Sequence, residues 1–162
     1  MTGFFEEFLA SPVPGLNWLH VTLRLAIAIL LGGLLGWERE AVRKEAGLRT
    51  HMMISLAACL FALITLGLMA SPLADDDSIR KDPIRVIEAV TAGVAFLAAG
   101  TIFTRGGDVK GLTTGAGMWL AGAIGVATGL GNIGLACLAT LLALTVLRLF
   151  KLLERRAERH ED

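Results

Sequence analysis

Three charged residues interrupt stretches that are otherwise apolar, and a charge in such a place is a candidate for function before anything else. Arg24 falls within residues 16–37, where His20 is the other polar titratable group, and Arg85 and Glu88 open residues 84–103. If these stretches cross a membrane in the same direction, Arg24 and Glu88 lie at similar depths. A pair between them would offset an insertion cost of ~2.5–3.5 kcal/mol for Arg at mid-span. The chemistry on offer is an ion or proton step in the outer half of the membrane. The plainer alternative is a structural salt bridge, or an Arg85–Glu88 contact at i, i+3 with Arg24 reaching outward.

Two connecting segments carry the remaining concentrated polarity. Residues 37–50 read W-E-R-E-A-V-R-K-E-A-G-L-R-T, with three Glu against four basic residues. A connection needed only to set orientation would not require the glutamates, so a folded charge network is expected there. Glu38 and Arg39 are its candidates, pairing with Arg49, Arg105 or Asp108. Residues 104–114 read T-R-G-G-D-V-K-G-L-T-T. Gly106, Gly107 and Gly111 permit tight or left-handed backbone, and stacked amides there could hold an anion. The pattern G-x-x-x-x-G-K-[ST] is absent, so a compact turn is the expectation rather than a phosphate loop.

Enzyme chemistry finds no support. His20, His51 and His160 are scattered, and neither H-E-x-x-H nor C-x-x-C occurs. Cys59 and Cys137 sit in apolar runs and read as small core hydrophobes. Asp75, Asp76 and Asp77 could hold a hydrated divalent cation, but such a run reads first as a solvated loop. No cofactor is expected.

The elements that must position these residues follow from composition. The chain has 162 residues, 54% hydrophobic and 19% charged, with fifteen basic against fifteen acidic residues. Its mean hydropathy is +0.65. A soluble domain of this size cannot bury so much apolar surface, and zero net charge gives no case for nucleic acid. Residues 50–70 carry no charge and suffice to cross a ~30 Å hydrocarbon core at ~1.5 Å per residue. Residues 112–147 are uncharged but too long for one crossing, and Gly129-Leu130-Gly131-Asn132 marks a turn within them. Asp82-Pro83 is a helix start, with Asp as N-cap and Pro at the first helical position.

The expectation is an all-α membrane protein, a bundle of five transmembrane helices at about 16–37, 50–70, 84–103, 112–130 and 132–150. Residues 1–150 form a single transmembrane domain, and 151–162 a short charged cytoplasmic tail. With the N-terminus outside and the C-terminus cytoplasmic, eleven basic residues fall inside and three outside, leaving Arg24 within the membrane. The N-terminus lacks a basic region and cleavage site, so no secretory signal is expected. Gly32 and Gly36 form G-x-x-x-G, and Gly117, Ala121, Gly125 and Gly129 a second small-residue stripe. Both read as intramolecular packing surfaces, with self-association between copies as the alternative.

Several motifs in register resemble one family. They are G-W-E-R-E at 36–40, G-L-R-T at 47–50, A-G-V-A-F-L-A-A-G at 92–100 and R-G-G-x-V-x-G-L-T-T at 105–114, with Trp119 after them. Together these resemble the membrane domain of the MgtC/SapB family of bacterial inner-membrane proteins, over roughly residues 18–150. Ala95 and Ala98 stand where the family pattern has glycines. Longer relatives carry a soluble domain after the last span, which this sequence is expected to lack.

The resemblance implies an inner-membrane location, a link to magnesium homeostasis and low-magnesium adaptation, and in pathogens survival inside host cells. It implies action on other membrane proteins, the ATP synthase among them. The motif positions carried over are Glu38, Arg39, Gly47, Arg49, Thr50, Arg85, Arg105, Gly107, Gly111, Thr113 and Thr114. The expected function is therefore non-enzymatic, through contacts with lipids, other inner-membrane proteins and further copies of the chain. The alternative is an oligomeric channel or carrier for Mg²⁺ or another cation, built around Glu88.

Overall fold

The computed structural model describes residues 13–41, 46–70, 82–105 and 108–158, with the side chains of Arg105 and of 150–158 left aside. Among these residues the protein is all-α apart from one small ribbon. The helices are α1 (Trp18–Ala41), α2 (Leu48–Met69), α3 (Pro83–Ala99), α4 (Leu112–Gly129) and α5 (Ile133–Glu158). Between α3 and α4, β1 (Phe103–Arg105) pairs antiparallel with β2 (Asp108–Lys110), Thr104 facing Val109. α1 and α2 are each long and apolar enough to cross a membrane.

Local chemistry explains where the helices begin. Asn17 caps α1, its Oδ1 accepting from the His20 amide at 2.9 Å, so His20 belongs to a helix start. Asp82 accepts from the Ile84 amide at 3.0 Å, and Pro83 follows it as the sequence led one to expect. α2 starts at a glycine without a capping side chain of its own, and Glu40 supplies the acceptor, taking the Leu48 amide at 2.8 Å. The turn after α4 forms at Gly131, whose φ of +89° suits glycine. Buried hydroxyls are satisfied inside their own helices: Thr128 donates to the Ile124 carbonyl and Thr140 to that of Ala136.

Three helix ends differ from the expected spans by four residues or more, and the largest is that of α5, which continues to Glu158 through most of the expected tail. α1 runs one turn past residue 37 and carries Glu38 and Arg39 within the helix. α3 stops at Ala99, four residues short of 103, where Thr101 turns its hydroxyl back onto the Ala98 carbonyl and the chain enters the ribbon. The expected compact turn at 104–114 is thus a β-ribbon ended by Gly111.

The core is built by α1, α2 and α4, whose mutual packing dominates the fold. Glycines set how closely they meet. A Cβ on Gly36 would stand 2.7 Å from Leu48 Cα, and one on Gly32 2.7 Å from the His51 carbonyl oxygen. A Cβ on Gly129 would stand 2.6 Å from the Cys59 carbonyl oxygen, and one on Gly125 would run into that of Ser55. These helices touch backbone to backbone, so both glycine stripes are used inside the chain. α1 runs antiparallel to α2, and α4 parallel to it. α3 leans mainly on α4 through Val94 and Ala98, and α5 on α1 and α4.

Candidate functional site

The polar groups gather at the end of the bundle where α1 finishes and α2 and α4 begin. Glu38 and Arg39, adjacent on the last turn of α1, are both buried. Arg39 Nε donates to Glu38 Oε2 at 2.6 Å, and Nη2 lies 2.5 Å from the same oxygen. Buried charges persist where they are paired, and here each neutralises the other within one turn.

His51, one turn into α2, is 0% exposed. Its Nδ1 lies 2.9 Å from the Gly47 carbonyl oxygen. A carbonyl can only accept, so Nδ1 carries the proton and Nε2 is left as an acceptor. Nε2 is buried and has no hydrogen-bond partner. It is turned toward α4, where a Cβ on Gly117 would stand 3.1 Å from it. One turn further along α2, the Ser55 hydroxyl is also buried without a partner. Thr114, at the start of α4, is buried. The site thus holds a neutralised ion pair, an imidazole with its tautomer set, and unused hydrogen-bonding capacity. Its composition suits polar coupling between helices. Among the described residues no three His, Cys, Asp or Glu groups converge as metal ligands would.

The expected Arg24–Glu88 pair does not form. Arg24 Nη1 donates instead to the Gly129 carbonyl at 2.7 Å. The last carbonyls of a helix lack intrahelical partners and carry the negative end of its dipole, so α4 offers Arg24 a ready acceptor. Arg85 and Glu88 lie exposed on α3. Of the expected partners of Glu38 and Arg39, neither Arg49 nor Asp108 reaches them, and the Arg105 side chain lies outside the described residues. Glu38 and Arg39 satisfy each other, while Arg49 and Asp108 are exposed.

The other motif positions divide by role. Gly47 faces Glu40, whose Oε2 a Cβ would approach to 2.8 Å. Gly111 adopts φ +87°, and a Cβ there would collide with the Thr101 carbonyl. Thr50 is half-buried and Thr113 exposed. The Arg105 side chain, Gly107 and the Asp75–Asp77 run lie outside the described residues. Sequence reasoning passed over Glu40, His51 and Ser55. A signal was present in the four-residue steps from the N-cap Gly47 to His51 and Ser55, which put the two side chains on one side of α2.

Comparison with known proteins places this arrangement among relatives. Residues 25–156 match the MgtC family. Protein MgtC of Brucella abortus is 39% identical over 127 residues, 78% of this chain and 50% of its own length. A protein of Escherichia coli named "Putative magnesium transporter YhiD" is 37% identical over 128 residues, 79% of this chain and 59% of its own. An uncharacterized protein of Haemophilus influenzae is 34% identical over 137 residues, 84% and 58% of the two chains. The chain therefore spans between half and three-fifths of the length of these relatives. No solved structure matches it.

Proposed function

Because the chain belongs to the MgtC family, we propose that it is a five-span inner-membrane protein that serves magnesium homeostasis by binding other membrane proteins. The magnesium link comes from the Escherichia coli relative, whose name attaches magnesium transport to it. In this reading the ends bearing Glu38, Arg39 and the ribbon face the cytoplasm, in keeping with eleven basic residues on that side against three on the other.

One observation carries the choice of mechanism. α1, α2 and α4 fill the bundle centre by direct backbone contact at Gly32, Gly36, Gly125 and Gly129. Such packing leaves no width for a hydrated Mg²⁺, which gives up water reluctantly. Large apolar side chains meanwhile cover the outside, Phe96 and Leu141 among them. Close packing of α1 and α4 on α2, with an outer surface suited to helix contacts, supports action through partners.

The second reading, a cation path between several copies, draws on the exposure of Glu88. Purified protein in liposomes separates the two. Absence of Mg²⁺ uptake, with specific co-purification of a membrane protein from native membranes, is the expected result. Uptake that disappears in Glu88→Ala would replace the first reading with the second.

A further inference from the structure

The glycine stripes are occupied within one chain, whereas α3 presents an exposed small-residue face. Arg85, Glu88, Ala92, Ala95 and Ala99 follow one another at steps of three, four, three and four, the spacing of a and d positions in a heptad. All five are exposed. They lie on an exposed flank of α3, about a third of a turn around the helix from Val94 and Ala98, the two residues that seat it on α4.

Charge decides what can cover this face. Among the described residues Glu38 and Arg39 form an ion pair, and neither Arg85 nor Glu88 does. Lipid tails cannot neutralise Glu88 within the span, and a purely apolar helix would leave both it and Arg85, at the outer edge, unpaired. A second copy answers both charges. Two copies inserted the same way are related by a two-fold axis along the membrane normal, so their α3 helices meet in parallel. Arg85 of one copy then lies one turn from Glu88 of the other, and the reverse holds across the axis. Two Arg and two Glu alternate around the axis. Beyond them the three alanines let the backbones approach closely, which is how helices associate in lipid.

We infer that α3 is the symmetric, parallel interface of a homodimer, seamed by Ala92, Ala95 and Ala99 and closed by reciprocal Arg85–Glu88 ion pairs between copies. The inference rests on the membrane-spanning reading of α3 given above, and the experiment separates the two.

The full chain, with Cys59→Ala and Cys137→Ser as background, is expressed in bacterial membranes and given single cysteines on α3. Copper phenanthroline is the oxidant. Ala92→Cys, Ala95→Cys and Ala99→Cys are expected to give disulfide-linked dimers, and Leu97→Cys, off the seam, is not. In the Ala95→Cys protein, Arg85→Glu or Glu88→Arg alone should lower the dimer yield about tenfold, and the two together should restore it to within about twofold. Co-expression of one tagged chain carrying Arg85→Glu with a second carrying Glu88→Arg should restore the mixed dimer, an outcome that a folding defect within either chain cannot produce. A water-soluble maleimide applied to Leu97→Cys tests the membrane reading by itself. Rapid labelling would overturn that reading. A shielded Leu97→Cys with no preference for seam positions, or with yields indifferent to charge reversal, would overturn the dimer.

Discussion

Arg24 and Gly129 are 105 residues apart, and a single hydrogen bond of 2.7 Å joins the guanidinium of the first to the carbonyl of the second. The same guanidinium fills the space beside Gly131, where a Cβ would stand 2.8 Å from Nη2. One cation thus closes the C-terminal end of α4 and fixes the turn into α5. The residue that first suggested ion chemistry is a helix cap.

Arg24→Met is accordingly expected to destabilise the detergent-solubilised protein by ~1.5–3 kcal/mol, the usual worth of a hydrogen bond to a charged group. Tryptophan fluorescence on heating reads this as a lower midpoint. An unchanged midpoint would mean that the α4 terminus is satisfied without Arg24.

Removal of Arg39 leaves Glu38 buried without its partner. Arg39→Gln should therefore cost ~3–5 kcal/mol, and the double change Glu38→Gln with Arg39→Gln distinctly less. The comparison is made by thermal unfolding of all three proteins. Equal losses in the single and double variants would show that packing, not charge, governs this turn.

The glycines divide sharply by surroundings. A Cβ on Gly125 would collide with the Ser55 backbone, whereas one on Gly93 meets nothing within 4 Å. Gly125→Ala is expected to destabilise by at least ~1–3 kcal/mol through overpacking. Gly93→Ala should stabilise by ~0.5–1 kcal/mol, since alanine restricts the unfolded chain and favours helix. Reversal of that order in chemical unfolding would contradict the close approach of α2 and α4.

Ser55 gives a prediction of the opposite sign. Its buried hydroxyl bonds to nothing, so Ser55→Ala removes an unsatisfied group without losing a contact. Stability should hold or rise by about 1 kcal/mol. A marked loss on unfolding assays would reveal a partner for the hydroxyl in the membrane-embedded protein.

Much of the architecture was legible because its signals are local. Asp82-Pro83 announces α3, the uncharged run over 50–70 announces α2, and Gly129 to Asn132 marks the last turn. The site was less legible because its geometry is not local. The partner of Arg24 is a backbone carbonyl, which has no signature in the sequence. Glu38 and Arg39 are neighbours, and adjacent side chains on a helix do not ordinarily face each other, so reasoning by spacing sought partners elsewhere. His51 looks like an isolated polar residue until Gly32 and Gly36 of one helix and Gly117 of another enclose it.

The parallel alignment of α2 with α4 also constrains how the protein is made. The α1–α2 hairpin can pair as soon as it is synthesised. In the five-span reading proposed above, its partner α4 emerges only after α3 has entered the bilayer, and α3 takes its own seat chiefly on α4. In that reading α3 waits in lipid for that interval with its alanine face and both charges uncovered. The growing chain must therefore keep a vacancy beside the first hairpin until α4 fills it. During biogenesis that vacancy is where an assembly factor or a stray helix would interfere, and a chain cut short before residue 112 would never leave that state.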